Sequence, residues 1–255
     1  MTDRFEFTRI VLGLPYSLPS HSMQLATELA NLLRLDLFGL FVEDENLKGL
    51  AALPFAREFR PLGGGWQPLN AERVSHDIAI AQRNAEKSFA LAAKALSTSS
   101  RFEVVSGSMA KAIASISRAE DIVLIAEPES AADRTSPQFF STLDAAMRST
   151  AAVLLVPNRL ARHSGVIVAL AAQSDDPSIA IAQSIAGALG ERLVIVEATT
   201  PGGGAALRSV RERLIVLSRA QEPSPSAIAS SRQVPILILE PIPRKFGRSD
   251  IASEA

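Results

Sequence analysis

A chain of 255 residues with 47% apolar residues is long enough to bury one large core or two small ones, which excludes a disordered polymer. Its formal charge of -1, from 26 basic and 27 acidic side chains, supplies no field that would gather nucleic acid or an anionic membrane. Cysteine is absent, so disulfides, thiolate metal sites and thiol nucleophiles are excluded, and a reducing compartment fits.

The opening segment, Met1-Thr-Asp-Arg-Phe-Glu-Phe7, has neither a basic stretch followed by an apolar core nor a small-residue cleavage site. Apolar runs also stay well short of the roughly 20 residues that span a bilayer, and a cytoplasmic protein with no membrane partner is expected. Arg9-Ile-Val-Leu-Gly-Leu14 reads as a buried strand ended by Pro15. A helix follows from Ser20 or Ser22 to Leu33, with Leu25, Leu29, Leu32 and Leu33 on one stripe. Leu37-Phe-Gly-Leu-Phe-Val42 is a second buried strand, closed by Glu43-Asp-Glu45, and the βαβ unit so formed should be right-handed.

Residues 46–69 interrupt this rhythm and read as an insertion that packs over something, with Phe55, Phe59 and Trp66 beside Arg57 and Arg60. It is a lid over the strand ends, an exposed patch for a partner, or a local satellite core. A long helix then runs from Asn70 to about Leu96, longer than sheet cover requires, so that part of it should meet the insertion or another chain. Phe102-Glu-Val-Val105 is a third strand, followed by a helix capped at Ser106 or Ser108 and running to Arg118. Ile122-Val-Leu-Ile-Ala126 and Val153-Leu-Leu-Val156 are short β-branched runs that suit parallel strands covered on both faces. Between them lies a loop without glycine, Glu127 to Phe140, and then a helix placed at Ser141 to Thr150.

An offset of 156 lays Ile10–Val42 on Val166–Ala198 without a gap, with Ser22 on Ser178, Leu29 on Ile185 and Leu33 on Leu189. One βαβ opening used twice points to duplication. Leu214-Ile-Val-Leu217 and Ile236-Leu-Ile-Leu239 then supply the later strands of a copy that has no room for a third strand or a long helix. Ala205 to Arg213 is expected to hold a short crossover helix, and Pro225 to Ser231 another. The division is therefore a first repeat over 1–157, a linker over 158–164, a shortened repeat over 165–243 and a flexible tail over 244–255.

The run Phe102-Glu-Val-Val-Ser-Gly-Ser-Met-Ala-Lys-Ala-Ile113, then Asp121-Ile-Val-Leu-Ile125, then Met147-Arg148 before the last strand, resembles the universal stress protein (UspA-type) family in tandem form. The resemblance implies an α/β fold of two tandem doubly wound parallel-sheet repeats of the adenine-nucleotide α-hydrolase-like kind, the second reduced. It also implies pairing through the fifth strands, either within one chain as a pseudo-dimer or between two chains as a homodimer. Some members bind ATP or AMP through an acid after the first strand and a glycine-containing loop that ends in glycine and a hydroxyl residue. Here Leu14-Pro15-Tyr16-Ser17 follows the first strand, and the loop glycines fall near Ala126 or Glu127, near Glu129 or Ser130, and on Phe140. Only Ser141 matches, at the hydroxyl position. Glu127, Glu129 and Asp133 would repel a triphosphate in a poorly solvated loop. Loss of the phosphate site in both halves is expected, with no cofactor.

Other chemistry finds little support. His21, His76 and His163 are far apart and read as surface groups in place of metal ligands. Acids at Glu43 and Glu45, at Glu127 and Glu129, and at Asp175-Asp176 sit at strand ends, where α/β folds place ligands, but solvated turns and caps explain them, Asp176 preceding Pro177 as an N-cap. No nucleophile elbow, Walker loop or dinucleotide fingerprint occurs, and Gly63–Gly65 and Gly202–Gly204 lack the lysine of a phosphate loop. The expectation is a non-catalytic regulator or interaction protein with an unidentified protein partner. The alternative is a small-molecule or nucleoside (AMP-like) binder, its cleft lidded by the insertion and lined from Tyr16, Phe55, Arg57, Trp66 and Ser141; a hydrolase using the acidic strand ends is a third reading.

Overall fold

The structure, a computed structural model, describes residues 7–14, 20–60, 65–197, 210–219 and 232–240. Tyr16, the expected helices over 205–209 and 225–231, and the expected tail over 244–255 lie outside them. In the first half the elements are β1 (Arg9–Leu14), α1 (Ser20–Leu33), β2 (Asp36–Asp44), α2 (Glu45–Ala51), β3 (Arg57–Arg60), β4 (Gly65–Pro68), α3 (Ala71–Ala93), β5 (Ser100–Gly107), α4 (Met109–Ile116), β6 (Asp121–Ala126), α5 (Ala131–Arg134), α6 (Pro137–Arg148) and β7 (Ala152–Val156). The second half has β8 (Val166–Ala171), α7 (Pro177–Leu189), β9 (Leu193–Glu197), β10 (Glu212–Ser218) and β11 (Ile236–Leu239). Glu212 and Arg213 thus begin a strand, where a crossover helix was expected to end.

Nine strands form one sheet in the order β5-β2-β1-β6-β7-β11-β10-β8-β9. Every neighbouring pair is parallel except β11 against β7, where Leu237 faces Leu154 in an antiparallel register. Outward from that joint both halves follow one order: last strand, next to last, first, second. Among the described residues, only the first half adds a further strand, β5, at its edge.

The strands are buried because their apolar runs serve both faces. Ile10, Leu12 and Leu14 of β1, Ile122 and Leu124 of β6, and Leu154 of β7 pack into a core shared with α1, α3 and α7. Val11, Val123, Leu155, Ile215 and Ile238 face the other way, into a core shared with α4 and α6. Each core draws on strands from both halves. Beneath the sheet, Asp121 is buried and takes two bonds from Arg9, at 2.7 and 2.9 Å, and one from the Arg118 N–H at 2.8 Å. That bidentate pair raises the Arg9 pKa, and the guanidinium also stacks over Phe38 at 5.0 Å.

Helix starts follow local caps. Asp44 caps α2, Asn70 caps α3, Ser108 caps α4 and Asp176 caps α7, where Pro177 holds the first helical position. α3 ends at Ala93, short of the expected Leu96. α6 begins at Pro137, capped by Ser136, which corrects the expected start at Ser141: serine followed by proline is itself a start signal, one full turn earlier.

The link into β8 turns at Gly165, whose φ of +142° suits glycine alone, and a Cβ there would stand 2.3 Å from the Arg211 carbonyl oxygen. Gly165→Ala is expected to cost about 2–3 kcal/mol, because backbone must shift as well as strain. A lower urea midpoint at unchanged slope would show it; an unchanged midpoint would contradict it.

Candidate functional site

In open α/β sheets the ligand crevice lies where strand order reverses, beyond the carboxyl ends of the strands. Here the reversals fall between β1 and β6, and between β8 and β10.

At the first reversal the polar groups of the loop after β6 are engaged within it. Glu127 is buried, and its N–H continues the β6–β7 ladder by donating to Val156 O at 2.8 Å. Ser130 Oγ accepts from the Ala132 and Asp133 N–H groups at the start of α5. Arg134 reaches back to the carbonyls of Pro128 and Glu129, at 3.3 and 3.4 Å. Ser136 Oγ accepts from the Phe139 N–H at 3.2 Å and so takes a donor at the start of α6. Ser141 lies one turn inside α6, exposed, and donates to Gln138 O at 3.0 Å. Phe139 packs against the core while Phe140 is exposed. Across the crevice mouth Gln138 reaches Asp44, the α2 cap, at 3.4 Å, and Glu43 pairs with Lys48.

The insertion is a hairpin, β3 with β4, preceded by α2. Glu58 pairs with Arg73 of α3, and Leu47 and Leu69 pack against the core, so the hairpin is anchored from beneath. Its outer face is aromatic: Phe59 and Trp66 stand opposite each other, ring centroids 5.5 Å apart, and Arg57 bonds the Trp66 carbonyl at 3.2 Å. Phe55, Phe59 and Trp66 are 75%, 58% and 63% exposed among the described residues, so most of each ring faces outward. Periodicity did not reveal the hairpin, because Pro61, Pro68 and the glycine run break the alternation on either side of strands only four residues long.

At the second reversal stands a buried carboxylate. Asp176 accepts from the Ala172 N–H at 2.9 Å, from the Ser178 N–H at 2.9 Å and from Ser218 Oγ at 3.0 Å, which ties the loop after β8 to the start of α7 and the end of β10. Burial pushes its pKa up, but these bonds outweigh burial and hold it below the usual value. Its neighbour Asp175 is exposed.

Among the described residues, a cleft of about 360 Å³ lies where α1, the 158–165 connection and β10 meet. It brings His21 and His163 together with Arg162, Arg213 and Glu28, while His76 sits exposed on α3. The cleft's charges are paired: Arg213 with Glu28 and Glu191, Arg162 with Glu212 at 3.6 Å, and His21 Nε2 lies 2.9 Å from Pro157 O. No set of three or more histidine or carboxylate groups among the described residues is placed to hold a metal ion. A second, more open groove of about 420 Å³ runs between α3 and β5. No helix among the described residues is long and apolar enough to cross a membrane.

No family model matches the sequence, and no curated protein matches it. Solved structures do. The chain superposes on a functionally unknown protein, PA1789, from Pseudomonas aeruginosa PAO1 with a TM-score of 0.51 and 13% identity, over 93% of this chain and 94% of that one. A universal stress protein from Archaeoglobus fulgidus DSM 4304 gives 0.50 and 12%, over 92% and 97% of the two chains. At these identities the likeness establishes the fold, which this chain shares with universal stress protein-like structures along nearly its whole length.

Proposed function

We propose that this chain is a non-catalytic regulator or interaction protein of the universal stress protein kind, formed as an internal pseudo-dimer, whose phosphate-binding loop has been lost. The loop Glu127–Ser136 carries this reading. It contains no glycine, and Ser130 and Ser136 already occupy backbone N–H groups at the starts of α5 and α6. A phosphate site needs those groups unoccupied and a backbone that can be approached closely. Glu129 and Asp133, both exposed at the same loop, add like charge against a nucleotide. The antiparallel joint of β7 with β11 supports the pseudo-dimer, since it sets two sheets of one strand order edge to edge. Under the offset of 156, β1, α1 and β2 fall on β8, α7 and β9, which supports a duplicated origin. The exposed rings of Phe55, Phe59 and Trp66 favour a protein-facing surface over a lid.

Calorimetric titration with ATP and with AMP tests the reading, with the fluorescence of Trp66 as a second signal. No saturable binding is expected up to about 1 mM, an affinity of about 4 kcal/mol or less. Micromolar binding abolished by Ser141→Ala would overturn the claim that the loop has lost its phosphate site.

A further inference from the structure

Among the described residues β5 is the outermost strand of the first half, with no strand paired to its outer side, and it is eight residues long, an unusual length for an edge strand. Its hydrogen-bonding phase is set by β2. Ser99 O accepts from the Leu37 N–H at 3.0 Å, and the parallel register runs from Leu37 opposite Ser100 to Asp44 opposite Gly107. Alternation then turns the backbone groups of residues 101, 103 and 105 towards β2, and those of Ser100, Phe102, Val104 and Ser106 outward.

We propose that a second copy of this chain pairs with that edge, antiparallel, about a two-fold axis at Phe102. This register satisfies the backbone phase. It sets Phe102 opposite Phe102 of the partner subunit, and Ser100 opposite Val104 of the partner subunit, as hydrogen-bonded pairs that use the outward groups. Charge follows the same register. Arg101 comes opposite Glu103 of the partner subunit, and Glu103 opposite Arg101 of the partner subunit, in the non-hydrogen-bonded positions where cross-strand side chains stand closest. Within one chain these two residues already pair, at 3.1 Å, so the dimer exchanges the bridge within each chain for two between strands, with no loss of charge pairing. Moving the axis by one residue, to Glu103, would also use outward backbone groups, Phe102 facing Val104 of the partner subunit, but it sets glutamate against glutamate in the closest cross-strand position. On the α3 face, Phe102 stacks with Phe89 at 5.7 Å beside the groove that Ala90 and Ala93 also line, apolar surface that the partner subunit's Phe102 adjoins.

Sedimentation of the full chain over a concentration series tests this, with the variants Arg101→Glu, Glu103→Arg and the double exchange. A monomer–dimer equilibrium is expected, its dissociation constant raised at least about tenfold by either single variant and returned to within about twofold of the parent by the double exchange. Circular dichroism should be unchanged throughout, Arg101 being exposed and Glu103 half-buried at the sheet edge. Amide exchange at Phe102 and Val104 should slow as concentration rises. A monomer at all concentrations up to about 0.2 mM would overturn the proposal. So would a dimer indifferent to both single variants, or one lost in the single variants and not recovered in the double.

Discussion

Arg219→Ala is expected to destabilise the whole chain by about 3–5 kcal/mol, because it strips partners from buried carbonyls and leaves a carboxylate without its cation. Arg219 stands at the end of β10, in the second half, yet its guanidinium reaches the carboxyl end of α6 in the first. It donates to Ser149 O at 2.6 Å, to Ala146 O at 3.4 Å and to Ala151 O, and it pairs with Glu240. Those carbonyls carry the negative end of the α6 dipole, so one side chain caps a helix and crosses the β7–β11 joint. Burial pulls the Arg219 pKa down and Glu240 pulls it back up; the guanidinium remains charged. Lysine offers a point charge without the fork, and Arg219→Lys should recover less than half of the loss. Urea denaturation is the measurement. A lower midpoint with a single transition is expected, since both cores span the joint. Loss confined to an early, separate transition would show that the halves unfold independently and that Arg219 does not couple them.

The nine strands of the main sheet and the first and seventh helices were legible because their signals are local. Ile122–Ala126 and Ala152–Val156 are apolar on every residue, and Asp176-Pro177 announces a helix start before α7 forms. Ser136-Pro137 announces α6 in the same chemical terms, one turn ahead of the expected start at Ser141, inside what was read as a loop. α2 was hidden because Glu43-Asp-Glu45 reads as the end of a strand, while Asp44 is both the last residue of β2 and the cap of the next helix. What remained illegible is long-range. Neither the reach of Arg219 to α6, the sharing of one cleft by His21 and His163, nor the pairing of Arg9 with Asp121 leaves a period in the sequence, since each depends on which strands become neighbours.

Asp176→Asn is expected to cost about 3 kcal/mol at neutral pH, because an amide cannot accept from all three of the buried donors that the carboxylate serves. The carboxylate uses both oxygens: Oδ1 takes the Ser178 N–H and the Ser218 hydroxyl, and Oδ2 takes the Ala172 N–H. An amide presents one acceptor, so its NH2 must point either at Ala172 N–H or at the Ser178 and Ser218 donors. The same geometry fixes a pH dependence. The bonds hold the folded pKa below the ordinary carboxylate value of about 3.9, so the unfolded chain binds the proton more readily. The stabilisation is therefore full above pH of about 4 and is lost as pH falls from there through the folded pKa. Urea midpoints from pH 7 down to pH 3 should show the gap between parent and Asp176→Asn narrowing in the acid range, because protonation removes from the parent what the substitution has already removed. Parallel curves would mean that the carboxylate charge contributes nothing and that only the cap's shape matters. A narrowing gap would show that the charge itself, and not only the shape of the side chain, holds the loop after β8 to α7 and β10.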